Sequence, residues 1–216
     1  TFKNGKITET SSTPTIDSLG YFYGSITKSL GFKPHQHEGK VLGLAAYGTK
    51  KNKIKEIVDM ISYDKTNKKF VGNYEGGFYQ ATFYNKNLNF LKKKYSKEQI
   101  AYSAQYALEK VVLECVSSLS RKKINLTLAG GVFANVKLNQ KIKELKNVKD
   151  VYVFPNMGDG GLAVGGAQLC YFYKTKKNPK KINNMYLGNE YSSKEILSSL
   201  KKYNLNYSQP KEIEKK

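Results

Sequence analysis

The residues with chemistry to offer lie in two glycine turns, Ala129-Gly-Gly-Val-Phe-Ala-Asn135 and Pro155-Asn-Met-Gly-Asp-Gly-Gly161. Glycine lets a backbone come close to a ligand, and the N–H groups that open a helix favour an anion. Gly130, Gly131 and Asn135 supply these features in the first turn, and Gly158 and Gly160 in the second. Asp159 is the one carboxylate of the second turn and would face a cation or a hydroxyl. Together they fit a nucleotide, with or without a metal. The same Gly-Gly pair after a strand also serves as a plain tight turn. Neither the dinucleotide fingerprint nor the P-loop pattern is present. A third stretch, His37-Glu-Gly-Lys40, adds Glu38, which can accept both ribose hydroxyls, and Lys40, which can neutralise phosphate. Those two also read as a surface pair at a helix start. His35 and His37 alternate and so would not share a helical face as a metal pair.

Positioning these groups is the work of a strand, turn, helix, strand, turn, helix series. Leu126 to Ala129 is a short apolar run, a helical pattern opens at Phe133 and runs through Leu145, and Val151 to Phe154 is a second apolar run. Leu162 to Tyr173 is small and apolar enough for a buried helix. Upstream, Asp17 or Ser18 caps a helix with Leu19, Phe22, Tyr23, Ile26 and Leu30 on one face, and Gly31 ends it. Lys53 to Ile61 reads as a short amphipathic helix, and Tyr63 to Tyr84 as short strands or an irregular excursion. Ser96 with Gln99 makes a capping box for the longest helix, expected to pack across the sheet and to carry no chemistry. Asn4-Gly5 signals a hairpin turn, Met185 to Gly188 a short strand, Ser192 or Ser193 a helix cap, and Tyr203 to Tyr207 a further strand. Gln209 to Lys216 looks frayed.

Composition sets the outer bounds. A chain of 216 residues with 39% hydrophobic and 12% aromatic residues has enough apolar mass for a core. No apolar run approaches the ~20 residues that cross a bilayer, and Thr1 to Thr10 is too polar for a leader. Cys115 and Cys170 share no ligand spacing and read as reduced core residues of a cytoplasmic protein. The formal charge of +20 points towards nucleic acid. Arg121 is the sole arginine, however, and the lysines are scattered along the chain, so a solvated lysine-rich surface is the simpler reading.

Several stretches resemble the NodU/CmcH-type O-carbamoyltransferases. They are His37-Glu-Gly-Lys-Val-Leu-Gly-Leu-Ala-Ala-Tyr-Gly48, Leu128-Ala-Gly-Gly-Val-Phe-Ala-Asn135 with Asn139, and Pro155-Asn-Met-Gly-Asp-Gly-Gly-Leu-Ala-Val-Gly-Gly-Ala167. Ser18-Leu-Gly-Tyr-Phe-Tyr23 with Leu30-Gly-Phe32, and Tyr186-Leu-Gly-Asn-Glu-Tyr-Ser192, add to the likeness. The resemblance implies an α/β actin-like ATPase fold, mainly its second lobe, with a mixed sheet flanked by helices. It implies that residues 1–175 are that lobe and that 176–216 are the linker and start of a YrdC-like domain.

The implied activity moves a carbamoyl group from carbamoyl adenylate, made from carbamoyl phosphate and ATP, to a hydroxyl of a small molecule or sugar. A divalent metal, of the iron type, would sit near the adenylate with Asp159 as a ligand. Gly130, Gly131, Val132 and Asn135 would embrace the nucleotide, Gly158 and Gly160 would flank its phosphate, and Glu38 and Lys40 would contact adenosine or phosphate. No catalytic side chain is assigned. The family's paired metal histidines and first phosphate turn would fall upstream of Thr1, in a missing lobe, and the YrdC-like domain after Lys216. His35 and His37 do not match those histidines, and Asn189 stands where proline is usual. The isolated chain is therefore expected to be inactive. The alternatives are an actin-fold kinase or ATPase lobe and a basic nucleic-acid-binding module.

Overall fold

The computed structural model describes residues 1–3, 6–74, 78–79, 83–180, 182, 184–186 and 188–209. They form two compact units, residues 1–170 and 171–216. Strands β1 (Phe2–Lys3) and β2 (Lys6–Ile7) pair antiparallel, while the expected Asn4-Gly5 turn itself lies outside the described residues. Next comes α1 (Leu19–Ser29), where Ser18 and not Asp17 is the cap, its hydroxyl accepting from the Gly20 N–H at 3.2 Å. Gly31 closes the helix at φ +85°, and the Phe32 N–H returns to the Thr27 carbonyl. That left-handed conformation is what a glycine there permits.

Helix α2 (Glu38–Ala45) follows, then α3 (Lys55–Val58), a single turn. The amphipathic helix expected through Ile61 stops early, because Ile61 opens β3 (Ile61–Asp64), which pairs antiparallel with β4 (Lys69–Gly72). Ile54, Ile57 and Ile61 fit one helical face, so periodicity alone did not locate the break. Short strands β5 (Phe78–Tyr79) and β6 (Tyr84–Asn85) lead into α4 (Lys86–Leu91).

The longest element, α5 (Lys97–Leu119), opens on the expected capping box with both Ser96 and Gln99 bonds made. Its Ile100, Ala104, Leu108 and Val111 are buried and face Phe22, Ile26, Val41 and Ile57 in one core. Small side chains on α5 let α2 come close. A Cβ at Gly48, just past α2, would lie 2.2 Å from the Tyr102 Cβ. The chief neighbours of α5 are α1, α2, α3, β3 and α6 (Val136–Lys143), so it serves a helical layer more than the strands it was expected to cross.

Strand β7 (Ile124–Leu128) pairs in parallel with β8 (Val148–Val153), in register from Leu126↔Val151 to Leu128↔Val153. This is the expected strand–turn–helix–strand unit, with one change. A 3-10 turn at Gly131–Ala134 precedes α6, which opens at Val136 instead of Phe133. In place of one mixed sheet, the described strands form four separate two-stranded sheets, three antiparallel and one parallel. The architecture is thus mixed α/β with helices and small sheets.

Helix α7 (Leu162–Thr175) forms where expected but is not buried: none of its side chains is, and Leu162 is 72% exposed. Cys170 on it is exposed too, against the core role expected from the sequence, and Cys115 is half-buried. Composition reports that a helix could be covered, not that these residues cover it. In the second unit, α8 (Ser193–Lys202) starts at a Ser192–Glu195 capping box. The strands expected at Met185 to Gly188 and Tyr203 to Tyr207 do not form among the described residues, and the frayed end beyond Gln209 lies outside them. No helix among the described residues is long and apolar enough to cross a membrane.

Candidate functional site

Because β7 and β8 run parallel and in register, their C-terminal ends release both glycine turns on the same side. Ligands of α/β proteins bind at that end of parallel strands. A direct bond joins the turns: the Gly130 N–H donates to the Met157 carbonyl at 2.6 Å. Gly130 sits at φ +106°, open to glycine and strained for other residues. After the 3-10 turn, Asn135 caps α6, its Oδ1 accepting from the Leu138 N–H at 3.0 Å. Asn139 donates from Nδ2 to the Phe133 carbonyl at 2.7 Å and fixes the turn from behind.

The glycines divide by what surrounds them. A Cβ at Gly161 would sit 2.3 Å from the Asn156 carbonyl oxygen, so the packing demands that glycine, whereas one at Gly160 would sit 2.1 Å from Asn156 Nδ2, the far end of a side chain that can turn aside. At Gly131 and Gly158 a Cβ would meet nothing within 4 Å. Those two border open space. The N–H groups of Gly131 and Val132 open one 3-10 turn, and those of Asp159 and Gly160 open another (Asp159–Gly161). None of the four has an acceptor among the described residues. Unspent amides beside open space fit an anionic group such as phosphate. The Gly130 amide does not join them, since Met157 takes it up.

Asp159 is exposed in the same turn. No three His, Cys, Asp or Glu side chains gather among the described residues. A bound divalent cation takes several such ligands, so these residues alone do not fit a metal.

Glu38 and Lys40 part company. Glu38 opens α2, and its Oε1 accepts from the His35 N–H at 2.7 Å. Lys40 is exposed, with its ammonium 5.8 Å from the centre of the Phe32 ring. His35 is exposed, at φ +64°, and edge-on to Phe83, while His37 Nδ1 accepts from the Lys33 N–H at 3.2 Å. Helix α1 lies against the first turn. A Cβ at Gly20 would lie 3.8 Å from the Val132 side chain.

Beneath the first turn lies a group that the sequence reading passed over. Gln105 and Glu109 of α5 are each 6% exposed. Gln105 bonds Asn135, Tyr23 and Glu109, and Glu109 pairs with Lys141 of α6. Polar residues four apart on the apolar stripe of a long helix were the available signal. Burial, and then the carboxylates of Glu109 and Glu38, raise the Tyr23 hydroxyl above its ordinary value of 10.0. The Glu38 carboxylate thus lies within electrostatic reach of Tyr23.

A tyrosine whose pKa is raised by folding stabilises the fold below its unfolded value and ceases to do so as pH climbs through the folded one. Stability should fall as pH rises beyond about 10, and Tyr23→Phe should flatten that fall while costing about 1 kcal/mol at neutral pH. Melting temperatures compared between about pH 8 and 11 check this, and an equal decline in both proteins would clear Tyr23 of the effect.

Comparison with known proteins places this geometry. A protein of Methanocaldococcus jannaschii described as uncharacterized is 38% identical over 86% of this chain and 36% of its own length. One from Synechocystis, also described as uncharacterized, is 30% identical over 85% of the chain and 33% of its own. Nodulation protein NolNO of Sinorhizobium fredii is 30% identical over 71% of the chain and 23% of its own. The chain thus spans between 23% and 36% of the length of these relatives. The family described as carbamoyltransferase N-terminus matches residues 1–168, which include both glycine turns and the network beneath them. The chain belongs to the carbamoyltransferase N-terminus family.

Proposed function

We propose that this chain forms one wall of the nucleotide site in an ATP-dependent O-carbamoyltransferase. Carbamoyl phosphate loses its phosphate to water, and the resulting carbamate attacks the α-phosphorus of ATP and displaces pyrophosphate to give carbamoyl adenylate. An acceptor hydroxyl on a small molecule or sugar then attacks the carbamoyl carbon. The new C–O bond forms as the bond from that carbon to the phosphate oxygen breaks, AMP departs, and the hydroxyl proton is released. Family membership supports carbamoyl transfer in general. The nucleotide is argued from one observation: the two turns tied by the Gly130–Met157 bond hold four amides that have no acceptor among the described residues, next to the open space at Gly131 and Gly158. Glu38 would meet the nucleoside and Lys40 its charge, and the remaining parts of the site belong to the rest of the longer protein, including an upstream lobe and a YrdC-like domain.

The test is titration of the 216-residue chain with ATP, by calorimetry, beside a Gly131→Leu variant. Leucine there enters open space, so the melting temperature should hold while ATP affinity falls at least about tenfold, the equivalent of 1.4 kcal/mol. Equal affinity in both proteins, or no saturable binding to either, would overturn the reading. The chain alone should carbamoylate nothing, and in the full-length protein ATP consumption should depend on carbamoyl phosphate.

A further inference from the structure

The geometry points to Gln105 as a positioning residue, a core side chain that fixes the shape of the turn at residues 130–135. It deepens the nucleotide reading and rests on it. The carboxamides of Gln105 and Asn135 face each other in a reciprocal pair. Asn135 Nδ2 donates to Gln105 Oε1 at 2.8 Å, and Gln105 Nε2 donates to Asn135 Oδ1 at 3.2 Å. The remaining capacity of Gln105 is spent as well. Its Oε1 accepts from the Tyr23 hydroxyl at 3.0 Å, and its Nε2 donates to Glu109 Oε1 at 2.9 Å. A carboxamide has two donors and two acceptor sites, and all four are met.

The direction of these bonds is set from one end. Glu109, held by Lys141, can only accept, which forces the Gln105 NH2 towards it. The Gln105 oxygen must then face Tyr23 and the Asn135 amide nitrogen. That leaves Asn135 Oδ1 turned to the Leu138 N–H, which is the bond that caps α6. Turning Gln105 over would set its NH2 against the Asn135 NH2 and its oxygen against a carboxylate. Polarity therefore runs from Lys141 through Glu109 and Gln105 to Asn135, and decides how the turn meets α6. An apolar side chain would fill the same place without the cost of burying polar groups. A fully satisfied network buys orientation instead.

The experiment uses the full 216-residue chain and follows amide hydrogen exchange together with ATP titration. Gln105→Met removes all four bonds at similar volume. Exchange within residues 130–138, at the hydrogen-bonded amides of Phe133, Asn135 and Leu138, should quicken at least about tenfold with the β3–β4 hairpin unaffected, and ATP affinity should fall at least about tenfold. Glu109→Gln keeps an acceptor but adds a donor, so the direction is no longer imposed, and a smaller rise confined to the same residues is expected. Tyr23→Phe leaves the Gln105–Asn135 pair intact and should leave exchange at 130–138 within about twofold of wild type. Unchanged exchange there in Gln105→Met, or a rise shared by every element, overturns the proposal. Should Gln105→Met fail to fold, Glu109→Gln decides in the same terms, a local rise supporting the proposal and none overturning it. If wild-type chain binds no ATP, the nucleotide reading fails by itself, and the exchange data alone decide whether Gln105 shapes the turn.

Discussion

Truncating Phe22 to alanine should remove about 3–5 kcal/mol of stability, the usual cost of emptying a core phenylalanine site. Phe22 is 0% exposed, and Ile26 on α1 and Leu30 just past its end are buried with it. The polar residues between them do not loosen the packing, because Ser25, Thr27 and Ser29 each donate a hydroxyl proton back to a carbonyl of their own helix. Domains of this size hold a margin of about 5–15 kcal/mol, so the loss would be a large share of it. Urea denaturation measures it as a shift in midpoint with unchanged slope, and a loss below about 1 kcal/mol would show that the site collapses around the void. The same helix carries Tyr23 and brings Gly20 beside Val132, so nucleotide binding should weaken with the fold.

The second large effect is expected at Gly161. Alanine there would put a Cβ 2.3 Å from the Asn156 carbonyl oxygen, and the obstacle is backbone, which cannot rotate away. The second turn must shift, at a cost of about 1–3 kcal/mol for overpacking. Displacing that turn moves the Asp159 and Gly160 amides, so ATP affinity should fall at least about tenfold. Gly161→Ala should therefore lose both stability and binding, where Gly131→Leu loses binding alone. Calorimetric melting and ATP titration of the two variants separate the cases, and a Gly161→Ala protein that melts with wild type would refute the steric argument.

What the sequence disclosed follows from how local each signal is. The capping box at Ser96 and Gln99, the glycine stop at Gly31 and the parallel unit around β7 and β8 are set by neighbours in the chain, and all form. The two turns do come together, as their place after paired strands requires. Signals that depend on distant surfaces were less readable. The apolar composition of α7 fixed its helix but not its covering, and the strands meant to make one sheet pair only in twos. Gln105 and Glu109 were hidden for a related reason. They interrupt an apolar stripe, and their partners, Tyr23, Asn135 and Lys141, lie between 30 and 82 residues away. Periodicity weighs a helix face by its average and passes over the polar exceptions within it. The different roles of the glycines needed coordinates altogether, since nothing in a Gly-Asp-Gly-Gly run tells which Cβ would strike backbone and which would enter open space.

The bond from the Gly130 amide to Met157 also couples the movements of the two loops. It works as a latch across the mouth of the strand pair, so the two loops form one jaw and neither can gape without the other. A shift of the first loop should therefore carry to Met157, two residues before Asp159, through a single peptide-to-peptide link.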